Sequence, residues 1–184
     1  MTPLAMALMG LFILPGTATS WATASEVPEL PTAPAYVVTM TGYNAVEGQT
    51  DGDPLTTASG AFSNPDIVVA RSVDLADELP FGTVIEIDHA STTSDCGYSS
   101  VEDHIGLRVV ADSMHSRMRN KIDVLFGNDE TVIQGERRRN AANAIGFCRG
   151  TRIHVVGRID MARMPKTQLQ LAAMIGRGTF AVRN

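Results

Sequence analysis

The chain has 184 residues, 44% of them hydrophobic and 19% charged, enough for one ordinary domain with a real core, or for two only if both are small. Its formal net charge is −5, with 15 Lys+Arg against 20 Asp+Glu, which argues against a nucleic-acid binder, since such proteins carry a basic surface. Sixteen Gly and nine Pro predict many turns and therefore many short strands, and no repeat of fixed period is present.

Residues 1–24 contain no charged side chain, and the apolar run Leu4–Leu14 has the length of a signal-peptide core. It is too short to span a bilayer, which takes about 20 apolar residues. Pro15 and Gly16 break it, and Ala22-Thr23-Ala24 supplies a small-x-small pattern ahead of Ser25. The expectation is a secretory signal over 1–24, no stable membrane span after its removal, and an exported protein. A buried N-terminal helix is the alternative. Residues 25–34, rich in proline, predict an extended tether.

From there, β-branched and apolar runs bounded by turn residues predict strands at Tyr36–Thr41, Ile67–Ala70, Thr83–Ile87, Leu107–Ala111, Lys121–Phe126 and Arg152–Val156. Six strands in about 120 residues fit a small, mainly β, closed barrel over 35–160, with one or two short helices. A helix is predicted over Glu130–Ile145, with a start only near Gln134 as the alternative because Gly135 weakens its beginning, and stopped by Gly146 at the position that favours a left-handed residue. The Glu136-Arg137-Arg138-Arg139 run reads as a solvated face of that helix. The tail, 161–184, predicts one short helix over Lys166–Ile175.

Export bears on the two cysteines. In an oxidising compartment Cys96 and Cys148 are expected to pair, closing a loop worth about 4 kcal/mol in the chain-entropy account. Two buried free thiols are the other reading. Without a Cys-x-x-Cys they make neither a zinc nor a redox site. His89, His104, His115 and His154 are scattered without ligand spacing, and Glu102-Asp103-His104 reads as surface charge before it reads as a metal site. No Gly-x-Ser-x-Gly and no P-loop occurs, so neither a metal nor a cofactor is expected.

Three stretches carry a resemblance. The first runs through Thr41-Gly42-Tyr43-Asn44, Gln49–Pro54 and Thr57-Ala58-Ser59-Gly60. The second is Val69–Leu75 leading into Leu79-Pro80-Phe81-Gly82-Thr83, and the third is Val109–Met114 followed by Arg119–Phe126. Together, over about residues 38–158, they resemble the 3D (three-aspartate) domain of the membrane-bound lytic transglycosylase A family and of resuscitation-factor-like cell-wall proteins. The resemblance implies a six-stranded double-psi β-barrel and peptidoglycan glycan strands as partner. By position, the three aspartates are Asp74, Asp112 and Asp123. Asp123 matches the acid/base of the transglycosylase members and Asp112 its neighbour in the cleft. Tyr43, Thr57, Ser59 and Asp74 match groove-lining, substrate-binding positions.

The residues are chemically suited to that role. A lytic transglycosylase needs one carboxyl that protonates the glycosidic oxygen between MurNAc and GlcNAc and then accepts a proton from the sugar's own C6 hydroxyl. Its pKa must be raised by burial or by a neighbouring carboxylate. Period-two alternation sends Ile122, Val124 and Phe126 to one face of their strand and Lys121, Asp123 and Leu125 to the other, and Asp is an unusual strand residue. Each site residue has a plainer alternative: a turn-forming role for Asp112, a structural hydrogen bond for Asp123, a helix cap for Asp74, a core place for Tyr43. A non-catalytic wall-binding or wall-loosening barrel is the rival function.

Overall fold

Short runs of apolar and β-branched residues form the strands of the fold. The computed structural model describes residues 33–50, 52–88 and 96–176; the expected signal segment and nearly all of the tether lie outside these described residues. In chain order the elements are β1 (Ala35–Asn44), β2 (Val68–Arg71), β3 (Thr83–Asp88), α1 (Tyr98–Ile105), β4 (Arg108–Ser113), β5 (Lys121–Phe126), β6 (Thr131–Gln134), β7 (Arg137–Asn140), α2 (Ala141–Ile145), β8 (Cys148–Arg158) and α3 (Gln168–Gly176). Two 3-10 turns, Val73–Leu75 and Met161–Arg163, stand between them. Each of the six expected strands is present.

Six strands close into a barrel in the order β1-β5-β2-β4-β3-β8. Two neighbouring pairs, β1 with β5 and β2 with β4, run parallel; the other contacts are antiparallel. Of the five connections between successive barrel strands only β3–β4 joins neighbours; the other four step over a strand, among them the β1–β2 connection that carries the Thr57–Gly60 loop. Both faces of the strands are buried in part. Ile122, Val124, Phe126, Val69 and Met40 join one core beneath α1, α2 and Leu79. Ala70, Leu125, Tyr43, Val68 and Val109 join a second, which α3 covers with Leu171.

The helix expected over Glu130–Ile145 is mostly absent. Thr131, Val132 and Ile133 are β-branched, and Gly135 takes φ +63 at the tip of a two-residue turn, so the segment folds as the β6–β7 hairpin. The arginine run is exposed, as expected, but on a strand: Arg138 donates to Thr131 Oγ1 and Arg139 to Gln134 Oε1. Only Ala141–Ile145 is helical, capped by Asn140, whose Oδ1 accepts from Ala142 N at 3.0 Å, and ended by Gly146 at φ +64. Helix α1, not anticipated, buries Tyr98, Val101 and Ile105 at helical spacing. Helix α3 falls within two residues of expectation. Gln168 docks it: Oε1 accepts from Leu107 N, and Nε2 donates to the carbonyls of Leu107 and Asp66.

Cys96 and Cys148 form the expected disulfide, with Cα atoms 5.3 Å apart. It ties the segment before α1 to the start of β8. The backbone is close there: Gly97 N donates to Ile145 O at 3.0 Å, and a Cβ on Gly97 would lie 1.8 Å from Ala144 O. Replacing both cysteines with serine is expected to cost about 2–5 kcal/mol, measured as the change in unfolding free energy in urea. Without reductant, alkylation of the folded protein should label neither thiol.

Candidate active site

The register of the barrel builds the site. Thr41 on β1 lies opposite Asp123 on β5, Asp123 lies opposite Ala70 on β2, and Ala70 lies opposite Asp112 on β4. These four residues form one row across four neighbouring strands. Two strand spacings separate the aspartate Cα atoms, about 10 Å. Ala70, between them, contributes only a methyl group.

A β-bulge creates this row. Along β2 and β4 the partners step from Val69–Val110 to Ala70–Asp112, so Ala111 and Asp112 together face one residue. Simple alternation from Val110 would place Asp112 on the face of Ile122 and Val124. The extra residue shifts it to the face of Ala70, which Asp123 shares.

The two carboxylates have different surroundings. Asp112 is met by donors alone: Tyr43 OH at 2.8 Å on Oδ2, and Ala58 N at 2.9 Å and Ser113 N at 2.8 Å on Oδ1. That is the bonding of an anion. Asp123 receives one hydrogen bond from a side chain, Thr41 Oγ1 to Oδ1 at 2.7 Å. Half-buried, it is pushed up to about 6, first by desolvation; the charge of Asp112 adds to the rise, while the Thr41 bond and Lys121 oppose it. Tyr43, 7% exposed, is held above its ordinary range by burial first and Asp112 second, and so stays a protonated donor. Thr41 and Tyr43 sit two apart on β1, so one strand presents a hydroxyl to each carboxylate. Gly42 between them has no room for a side chain, since a Cβ would come within 2.8 Å of the Phe126 ring.

The loop ahead of β2 supplies the rim. Thr57 is buried, with its hydroxyl on Ala61 O and Ser59 Oγ, both at 3.0 Å; Ser59 N donates to Ala111 O at 3.2 Å. Gly60, at φ +82, allows the tight turn that brings Ala58 N to Asp112. Thr57 therefore shapes the loop, and the half-buried Ser59 lies beside the bulge. Thus Asp112, Asp123, Tyr43, Thr57 and Ser59 are gathered together.

Asp74 is not with them. It is exposed on the Val73–Leu75 turn, and its Oδ2 accepts from Asn120 N at 2.9 Å. Nor does it cap a helix. The Ser72 hydroxyl, first, and the Asn120 N–H lower its carboxyl pKa. Asn120 adopts φ +49, a conformation Asn tolerates, and Lys121 N donates to Ser72 Oγ at 3.0 Å. Ser72 and Asp74 thus anchor the loop that leads into β5. Thr41 lies in the first of the three stretches with no role implied for it; its hydroxyl, one alternation from Tyr43, is the sequence signal that points to it. Of the surface cluster near His104, the histidine pairs with Glu130 at 2.6 Å, and no group of three metal-ligating side chains occurs among the described residues.

No protein-family model matches the chain, and a search of curated proteins returns no match.

The raised Asp123 carries a stability signature. Its folded pKa exceeds that of an unfolded aspartate, so the folded state binds more protons between about pH 4 and 6, and stability falls as pH rises through that window. Asp123→Asn lacks this loss. Its stability relative to the parent should be unchanged near pH 4 and higher by up to about 3 kcal/mol at pH 8, measured by denaturant unfolding across pH.

Proposed function

We propose that the protein is an exported peptidoglycan-active enzyme that cleaves the MurNAc–GlcNAc glycan strand in the manner of a lytic transglycosylase, with Asp123 as its single acid/base. The observation that carries this reading is the asymmetry of the aspartates: a half-buried Asp123 raised to about 6, across Ala70 from an Asp112 bonded as an anion. Two carboxylates held in unlike environments are the usual mark of divided acid and charge-stabilising roles. In the proposed reaction, Asp123 gives its proton to the glycosidic oxygen as the bond from MurNAc C1 breaks. The Asp112 anion stabilises the positive charge that builds on the sugar. Asp123, now a carboxylate, takes the proton of the C6 hydroxyl as O6 bonds to C1, giving a 1,6-anhydro end and restoring the acid.

Export is supported by the Cys96–Cys148 disulfide, since such bonds persist in oxidising compartments. Among the described residues, no helix is long and apolar enough to cross a membrane.

Incubation of the protein lacking residues 1–24 with purified sacculi, followed by mass analysis of released muropeptides, tests the reading. Products with 1,6-anhydro ends are expected, whereas reducing ends would mean hydrolysis. Asp123→Asn should lower cleavage by about 10²–10⁴-fold, the worth of a positioned acid/base, with sacculus binding retained. Asp112→Asn should slow cleavage less, because a dipole replaces part of the anion's effect. The limb of kcat/KM set by Asp123 should fall as pH rises through about 6. Parent protein that binds sacculi and releases nothing would assign the barrel to the non-catalytic wall-binding class.

A further inference from the structure

Lys121 stands on the same face of β5 as Asp123, one alternation away, or about 6.7 Å along the strand. Two neighbours fix where its ammonium lies. Nζ is 5.4 Å from the centroid of the Phe147 ring and 3.8 Å from Met118 Sδ. A ring face and a thioether hold a cation in place without neutralising it. The ion pairs among the described residues are His104–Glu130, His154–Asp88 and Arg163–Asp160, none of which uses Lys121. Phe147 is 58% exposed, so the ammonium stands at the surface, and its backbone is anchored next door by the Cys96–Cys148 disulfide. Arg119, another nearby cation, is engaged in donating to the carbonyls of Ser116 and Met118.

We infer that Lys121 is a binding residue for a carboxylate carried by the glycan beside the bond on which Asp123 acts. The ammonium would then distinguish muramyl strands, which bear lactyl or peptide carboxylates, from neutral amino-sugar polymers. This rests on the reading of the site as a glycan cleft. It also has a consequence for the acid: Lys121 opposes the raised state of Asp123, and an anion seated on Lys121 removes that opposition as substrate binds.

Binding is measured by calorimetry in an Asp123→Asn background, where substrate survives, with soluble peptidoglycan oligosaccharides and with the same oligosaccharides after amidation of their carboxylates. The acidic form should bind about fivefold tighter or more at low salt, and the preference should shrink as salt is added. Adding Lys121→Gln should erase the preference while leaving affinity for the amidated form unchanged, and Lys121→Arg should keep most of it. Equal affinity of the background protein for the two forms overturns the inference whatever the Lys121 variants do, as does a preference that survives Lys121→Gln. Asp123-dependent cleavage alongside equal affinities would leave the proposed function standing and this inference refuted. A protein that binds neither form refutes both.

Discussion

One fully buried cation, Arg108, ties together β4 and β5, which carry the two aspartates, and β2, which lies between them. Arg108, fully buried at the start of β4, donates to the carbonyls of Val68 on β2 and Leu125 on β5, to Pro65, and to His104 and Ile105 at the end of α1. Burial lowers its pKa to about 10, which leaves it charged at neutral pH. Desolvating a guanidinium is costly unless nearly every donor is satisfied, and here backbone oxygens, including those at a helix C-terminus, supply the partners. The geometric result is specific. β4, β2 and β5 are the strands of Asp112, Ala70 and Asp123, so Arg108 braces the same three strands whose register places the aspartates.

Within that frame the two aspartates differ by environment, not by residue type. Both key groups are aspartates, yet three donors gather on Asp112 while a single hydroxyl and a low-dielectric setting meet Asp123. The donors come from places far apart in the chain: Tyr43 from β1, Ala58 from the loop before β2, and Ser113 from the end of β4. A raised carboxylate is a cost to the fold at neutral pH, tolerated because the rest of the barrel is well satisfied; no buried side-chain nitrogen or oxygen lacks a hydrogen-bond partner among the described residues. A perturbed carboxyl of this kind, in an otherwise consistent fold, is what marks this row as a candidate site.

Where local sequence and tertiary context disagreed, context won for identifiable reasons. Between Glu130 and Ile145 the helical reading rests on the Gly146 stop, but Gly135 in the left-handed region and three β-branched residues turn most of it into a hairpin. The Asp74 carboxyl, expected to cap a local turn, lies within the Val73–Leu75 turn and reaches across 46 positions to accept from Asn120 N. A cap is a local bond readable from neighbours; a clasp between two crossover loops is not.

The sequence by itself determined the six barrel strands, the paired cysteines and the face of Asp123, because each depends on spacing within a few residues or on which residue types are present. Ile122, Val124 and Phe126 must share one face of an extended chain, which leaves Lys121 and Asp123 together on the other. What the tertiary structure alone decided is the side on which Asp112 emerges. Val109-Val110-Ala111-Asp112 alternates without interruption in sequence, and by that pattern Asp112 belongs opposite Asp123. The bulge that moves it exists only because β2 is the partner of β4, with Ala70 taking two residues of the other strand against its one. Strand pairing is a long-range choice made by the closing of the barrel, and no window of local sequence contains it.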